Sequence, residues 1–268
     1  RAYKLIMASV KLTPLAHTDL RVSPQPNTSS RMTSPPTTIP TDESELIAKL
    51  MCGDDHAFRQ LIALHQVDYE AAGLTSLGKG QGYCKRQVDG WCDRYVKAKT
   101  WNVPSYQGVR DWLKKHTPED SSTCIVHNDW RFDNVVLSAD DPTQVIGVLD
   151  WEMATLGDPL MELGNVLAYW IQADDKGILK KTRRQPTHLP GMLTRQQVVE
   201  YYQAKTGVEI KHWAFYEVFG LFRVAAILQQ IYYRYYHKQT DNPAFKSFWL
   251  LNWAIWRRCR QIIQQDKF

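Results

Sequence analysis

The chain has 268 residues and a formal charge of +5, a mild excess that favours anionic partners without requiring nucleic acid. Apolar residues make up 44% and charged residues 23%, which excludes disorder of the whole chain. The longest uncharged apolar-rich runs, Leu163 to Ala173 and Ser247 to Trp256, fall short of the roughly 18 to 20 residues a bilayer span needs, so no membrane span is expected.

The five cysteines (Cys52, Cys84, Cys92, Cys124, Cys259) are odd in number and never spaced as Cys-x-x-Cys. That argues against a disulfide scaffold or zinc knuckle and for a reducing compartment, the cytoplasm or an organellar matrix. The chain opens on Arg1 without a signal-peptide pattern, as a fragment would.

Only Tyr3 among the Phe, Tyr and Trp residues precedes Phe58, so packing is expected to begin near that position. Ser23 to Ser44 is crowded with Ser, Thr and Pro and cannot bury enough apolar surface to offset ordering. Residues 1–41 therefore read as a linker-like segment, and 42–268 as the folded unit. Asp42 and Glu45 are spaced as a capping box before Leu46, Ile47, Leu50 and Met51, which predicts a helix. A second helical run carries Phe58, Leu61, Ile62 and Leu64.

Gly73 to Gly82 is expected to be a loop, and its Gly78-Lys79-Gly80-Gln81-Gly82 run lacks the spacing of a phosphate-binding loop and follows a helix, so it reads as an interhelical turn. Tyr83 to Lys99 and Tyr106 to His116 are predicted helices. Three β-type runs follow, Thr123 to Val126, Asn134 to Leu137 and Gln144 to Leu149, with a turn at Ser138 to Pro142 joining the last two into a hairpin. Helices are predicted again over Leu160 to Trp170, from Thr194 with Gln197 as its capping partner, over Trp213 to Tyr236, and over Pro243 to Ile263. Core packing is the default for the aromatic stripes of the Trp213 helix, and solvent exposure for the basic cluster Lys176 to Arg184.

Polar groups stand at the ends of the three apolar strands: His127 and Asp129, then Asn134, then Asp150. Two carboxylates and an amide are hard oxygen ligands without a thiolate, a set suited to Mg²⁺ shared with substrate phosphates. Taken singly, each of Asp129, Asn134 and Asp150 reads as turn or capping chemistry, and His127 as a structural histidine. A hydrolytic metal centre of His127, Asp129 and Asp150 is a weaker alternative, since no further His or Glu lies at ligand spacing nearby.

The run His127-Asn128-Asp129-Trp130-Arg131-Phe132-Asp133-Asn134 resembles the catalytic loop of the aminoglycoside phosphotransferase family, and Leu149-Asp150-Trp151-Glu152 resembles its metal-binding segment. The subgroup of kinase-like domains associated with acyl-CoA dehydrogenases is the nearest likeness, through Ala154 to Leu160 and His188 to Thr194 as well. The resemblance implies a protein-kinase-like fold, here an α+β, mainly α C-terminal lobe with a small β hairpin at the catalytic loop. It implies ATP- and Mg²⁺-dependent phosphorylation of a small-molecule hydroxyl, with a hydroxyacyl-CoA or hydroxy acid as acceptor and an acyl-CoA dehydrogenase domain or protein as a partner. Asp129 would be the catalytic base, Asn134 and Asp150 the Mg²⁺ ligands, and His127 and Asp158 supports of the loop. Arg131 is left between a phosphate contact and a pairing with a neighbouring carboxylate. The departure lies upstream: no strand followed by G-x-G-x-x-G and no V-A-I-K-like strand is found. The N-terminal lobe is expected to be missing, which makes a truncated, inactive kinase-like binding module the alternative.

Overall fold

The computed structural model describes residues 54–141 and 144–266. The linker-like segment and the helix predicted from Asp42 lie outside the described residues.

The chain runs through α1 (Asp54–His65), α2 (Tyr83–Ala98), α3 (Gln107–Lys115), β1 (Cys124–Val126), β2 (Val135–Leu137), β3 (Val145–Val148), β4 (Thr155–Gly157), α4 (Pro159–Ala168), α5 (Arg195–Thr206), α6 (Trp213–Tyr236) and α7 (Phe248–Gln265). Mainly helical architecture with a β2–β3 hairpin is as expected. The Gly78 to Gly82 run is the interhelical turn before α2, with Gly82 as its N-cap.

α6 is the central element and packs against α4, α7 and α2. Its apolar positions explain why: Phe215, Val218, Phe219, Phe222, Ala225 and Ala226 are buried and recur at the 3.6-residue period. α6 is long and apolar enough to cross a bilayer by length and composition, although Glu217 and Arg223 interrupt its uncharged runs; 61% of that apolar window is buried within the protein. Its apolar character is spent on the core. α4 crosses α6 so closely that a Cβ added at Gly220 would stand 2.1 Å from the Gly164 carbonyl oxygen.

β1 is fully buried and pairs antiparallel with β4, in the register Cys124↔Gly157, Ile125↔Leu156 and Val126↔Thr155. The sequence pattern does not reveal this second small sheet, since three residues of β4 carry no period of their own. β2 pairs with β3 as Val135↔Val148 and Val136↔Gly147, with an irregularity before Leu137↔Val145. The two sheets place the loop after β1 and the turn after β3 side by side.

Candidate active site

β1 ends in Ile125 and Val126, both fully buried, so the next residues leave the core at a fixed point. His127 is itself buried, and its Nε2 lies 2.8 Å from the Leu149 carbonyl oxygen. A carbonyl only accepts, so Nε2 carries the proton, and the bare Nδ1 accepts from the Asp129 N–H at 3.3 Å. With the ring packed edge-on against Trp130 and Trp151, His127 ties the loop after β1 to the end of β3. Both ring nitrogens are engaged, which leaves no lone pair for the hydrolytic metal centre. Among the described residues no group of three or more His, Cys, Asp and Glu side chains is gathered for metal binding.

Asn134 sits at the start of β2, where its carbonyl accepts from the Leu149 N–H at 2.8 Å. Its Nδ2 donates to the Asp129 carbonyl at 2.7 Å and to Asp129 Oδ2 at 3.0 Å. The amide nitrogen is thereby spent on Asp129, and Oδ1 remains as an acceptor. Asp150 immediately follows Leu149 in the left-handed region, at φ 65°, a conformation Asp and Asn tolerate better than other side chains. Its side chain is exposed and makes no hydrogen bond or ion pair with the described residues. The hairpin register therefore bonds Asn134 to Leu149, the residue before Asp150, while the Asn134 side chain holds Asp129.

Arg131 pairs with carboxylates. Its Nε lies 3.3 Å from Asp129 Oδ1, its NH2 3.3 Å from Oδ2, and its NH1 3.7 Å from Asp133 Oδ2. The guanidinium also lies over the ring of Tyr169, 5.5 Å from its centroid. Burial raises the Tyr169 phenol above its ordinary value, so it stays neutral beside these charges.

Asp158 corrects one expectation. Its Oδ1 accepts from the Met161 N–H at 2.8 Å, capping α4, and its Oδ2 accepts from Ser121 N–H at 2.6 Å and Oγ at 2.7 Å. Those partners flank β1 and α4; they are not in the 127–134 loop. Burial lifts its carboxyl above the usual carboxylate range, and the Ser121 and Met161 hydrogen bonds oppose that shift.

The direct brace is Glu162, one turn further along α4. Its Oε2 accepts from the His127 N–H at 3.0 Å, and its Oε1 accepts from the Asn128 N–H. Asn128, left-handed at φ 65°, is held on its other atoms: Arg223 NH2 donates to its carbonyl at 2.9 Å, Tyr83 Oη to its Oδ1 at 2.9 Å, and its Nδ2 donates to the Met153 carbonyl at 3.1 Å. Burial pushes the Tyr83 phenol up, which keeps its proton available for that bond. Glu162 and Arg223 had a readable signal, since each is a lone charge inside an apolar helical run, and a buried charge needs a partner.

Beside the loop a narrow pocket is walled by Phe58, Trp130, Phe132, Val166 and Trp170. A larger cleft of about 1100 Å³ opens beyond α4 and carries Lys176, Arg195, Arg257 and Arg258 against Asp174, Asp175, Glu200 and Glu217. Its formal charges balance, so it is not an anion trap.

The profile of the phosphotransferase enzyme family (APH) matches residues 55–196, and the chain belongs to that family. It is 38% identical over 176 residues to mouse acyl-CoA dehydrogenase family member 10 and 31% identical over 192 residues to mouse family member 11. Those matches cover 65% and 70% of this chain but 16% and 24% of the relatives; the chain spans a quarter or less of their length. Among solved structures, a Ralstonia eutropha protein assigned to the aminoglycoside phosphotransferases superposes with a TM-score of 0.72 at 28% identity, covering 85% of this chain and 69% of the other. Macrolide 2'-phosphotransferase type I shares the fold, with a TM-score of 0.50 at 18% identity over 91% of this chain and 74% of the other. The fold is kinase-like, and the family's activity is phosphoryl transfer to a small molecule.

Proposed function

We propose that this chain carries the acceptor and metal side of a site that moves the γ-phosphoryl group of ATP to the hydroxyl of a small molecule. The observation that carries the reading is the Asn134–Leu149 pairing at 2.8 Å, which sets Asp150 beside Asn134 while Asn134 Nδ2 holds Asp129 Oδ2 at 3.0 Å. An amide oxygen and an unpaired carboxylate on adjoining backbone are hard donors that fit Mg²⁺. Asn134 and Asp150 would hold the ion, whose charge would offset that of the phosphate oxygens. Asp129, partly exposed and steadied by Asn134 and Arg131, accepts the proton of the acceptor hydroxyl. Arg131 balances Asp129 and Asp133, and that pairing is favoured over a phosphate contact.

The names of the matched relatives support an acceptor from acyl-CoA chemistry, a hydroxyacyl-CoA or a hydroxy acid, and an acyl-CoA dehydrogenase domain or protein as partner. The cysteines Cys84, Cys92, Cys124 and Cys259, all buried and unpaired, support a reducing compartment, cytoplasmic or an organellar matrix. A second reading, a kinase-like module that binds without turnover, draws on one specific observation: the 268 residues contain neither G-x-G-x-x-G nor a V-A-I-K-like strand, the parts that hold ATP phosphates from the other side.

The test is transfer of radiolabelled γ-phosphate from Mg-ATP to a panel of hydroxyacyl-CoAs and hydroxy acids. It is run on this chain and on a longer chain carrying a family N-terminal lobe. The proposal expects EDTA-sensitive transfer by the longer chain. Absence of transfer to every acceptor by either chain would favour the binding module.

A further inference from the structure

His65, the last residue of α1, lies outside every motif that marks the site, yet it is joined to the loop that carries Asp129. Its side chain is 3% exposed, and Nε2 lies 2.8 Å from Glu162 Oε2, whose side chain is fully buried. Nδ1 lies 2.8 Å from the Tyr202 hydroxyl on α5, and the two rings meet edge-on at 5.8 Å. A carboxylate only accepts, so Nε2 donates to Glu162, and the Tyr202 hydroxyl pairs with Nδ1 on the other side of the ring.

Glu162 Oε2 thus receives two hydrogen bonds, one from His65 and one from the His127 N–H, while Oε1 receives the Asn128 N–H. A buried carboxylate bonded at both oxygens forms one network with its donors, so a change at one donor is felt by the others. His65 is pinned at both nitrogens by elements far away in sequence, α4 and α5. The two amides that Glu162 holds immediately precede Asp129, whose own N–H returns to His127 Nδ1.

We propose that His65 is a positioning residue. Acting through Glu162 and backed by Tyr202, it fixes the backbone from which Asp129 projects. The inference rests on the reading of Asp129 as the base, but its structural half does not, and the experiment separates the two. Loss of the His65 bond leaves Glu162 Oε2 with one donor and a buried acceptor site unfilled. The cost falls on the 127–128 amides before it reaches the rest of the fold.

The test is backbone hydrogen exchange at His127 and Asn128 in the 268-residue chain, compared with Ile255 and Cys259 in α7 as an internal reference. His65→Leu is expected to speed exchange at the loop amides about tenfold or more relative to the reference, the equivalent of one lost hydrogen bond to a charged group. His65→Gln, which can still offer an N–H to Glu162, is expected to recover part of that protection. Tyr202→Phe removes only the hydroxyl, keeps the fold testable if His65→Leu does not fold, and is expected to shift the loop amides in the same direction by less. Equal acceleration at loop and reference in all three variants, or no acceleration at 127 and 128, would overturn the proposal. In the longer active chain, His65→Gln should lower kcat more than it changes KM for ATP. If the exchange result holds while no variant or wild-type chain turns over, the base assignment fails and the brace stands.

Discussion

Asn134 performs two tasks with one side chain, and they can be separated. Its Nδ2 restrains Asp129 Oδ2 at 3.0 Å, while its oxygen is the candidate metal donor. Asn134→Asp keeps an oxygen but puts a second carboxylate where the donor stood. A like charge at that range disfavours ionisation of Asp129, so the acid limb of the pH–rate profile should move to higher pH and kcat should fall. An unmoved acid limb would show that Asp129 is not the group titrating. Glu162 makes a prediction on stability alone. Glu162→Gln replaces one acceptor oxygen by a donor facing an N–H, and should cost about 1–3 kcal/mol, read as a lower urea midpoint at unchanged slope. At this scale the sequence was legible for where Asp129, Asn134 and Asp150 stand, because each polar side chain flanks an apolar strand run. It was not legible for His65, which meets Tyr202 137 residues away and Glu162 97 away, or for Tyr83, which meets Asn128 45 away; only the packing of α1, α2 and α5 reveals them.

The α4–α6 crossing depends on two glycines without side chains to separate the helices. A Cβ at Gly220 would meet the Gly164 carbonyl at 2.1 Å and Ala168 Cβ at 3.2 Å. Alanine would gain about 1 kcal/mol in helix propensity, but backbone cannot rotate aside as a side chain can. Gly220→Ala should therefore lose about 1–3 kcal/mol net, seen as a lower Tm; a higher Tm would mean the helices part easily. Arg195 opens α5 and fastens it to the segment after α4, with NH1 2.7 Å from Asp175 Oδ2, NH2 2.9 Å from Oδ1, and NH1 2.7 Å from the Trp170 carbonyl.

Burial alone would raise the Asp175 carboxyl, but the Arg195 pairing and the Gln172 N–H outweigh it and hold it below the usual range. A depressed folded value means this stability is present above the ordinary Asp value of 3.8 and drains away as pH falls through the folded one. Asp175→Asn should thus flatten the acid side of the stability curve, as followed by urea unfolding from pH 6 downward to about pH 2. A parallel curve for the variant would contradict it. Most elements were legible from period and capping: the Thr194–Gln197 box forms as spaced, with bonds of 2.8 and 3.1 Å. β4 was not, because three residues carry no period and exist as a strand only through β1. The helix expected from Pro243 is broken at Ser247, where a separate 3-10 turn, capped by Asn242 on the Ala244 N–H at 3.0 Å, precedes α7.

For the whole molecule, one core serves one rim. α6 buries its aromatics among α2, α4 and α7, and the same helix sends Arg223 to the Asn128 carbonyl at 2.9 Å, so core packing and loop geometry are not independent. The kinase-like fold was legible only through the resemblance of residues 127–134 and 149–160 to a known family; period and spacing alone predict helices around a hairpin. In the proposed function Asn134 and Asp150 would hold the metal, and Asp129 would face the acceptor hydroxyl, all from one side. Alignment of ATP from the other side matters, since misplacement of a reacting group alone can cost about a hundredfold in rate. We therefore expect negligible transfer by the 268-residue chain and active transfer once a family N-terminal lobe is joined to it. The most direct measurement is the rate of phosphoryl transfer by that joined chain with and without Asp129→Ala, at matched folded content and saturating Mg-ATP. The account predicts a loss of about 10²- to 10⁴-fold with the KM for ATP little changed; an active joined chain indifferent to Asp129→Ala, or robust transfer by the 268-residue chain alone, would contradict it.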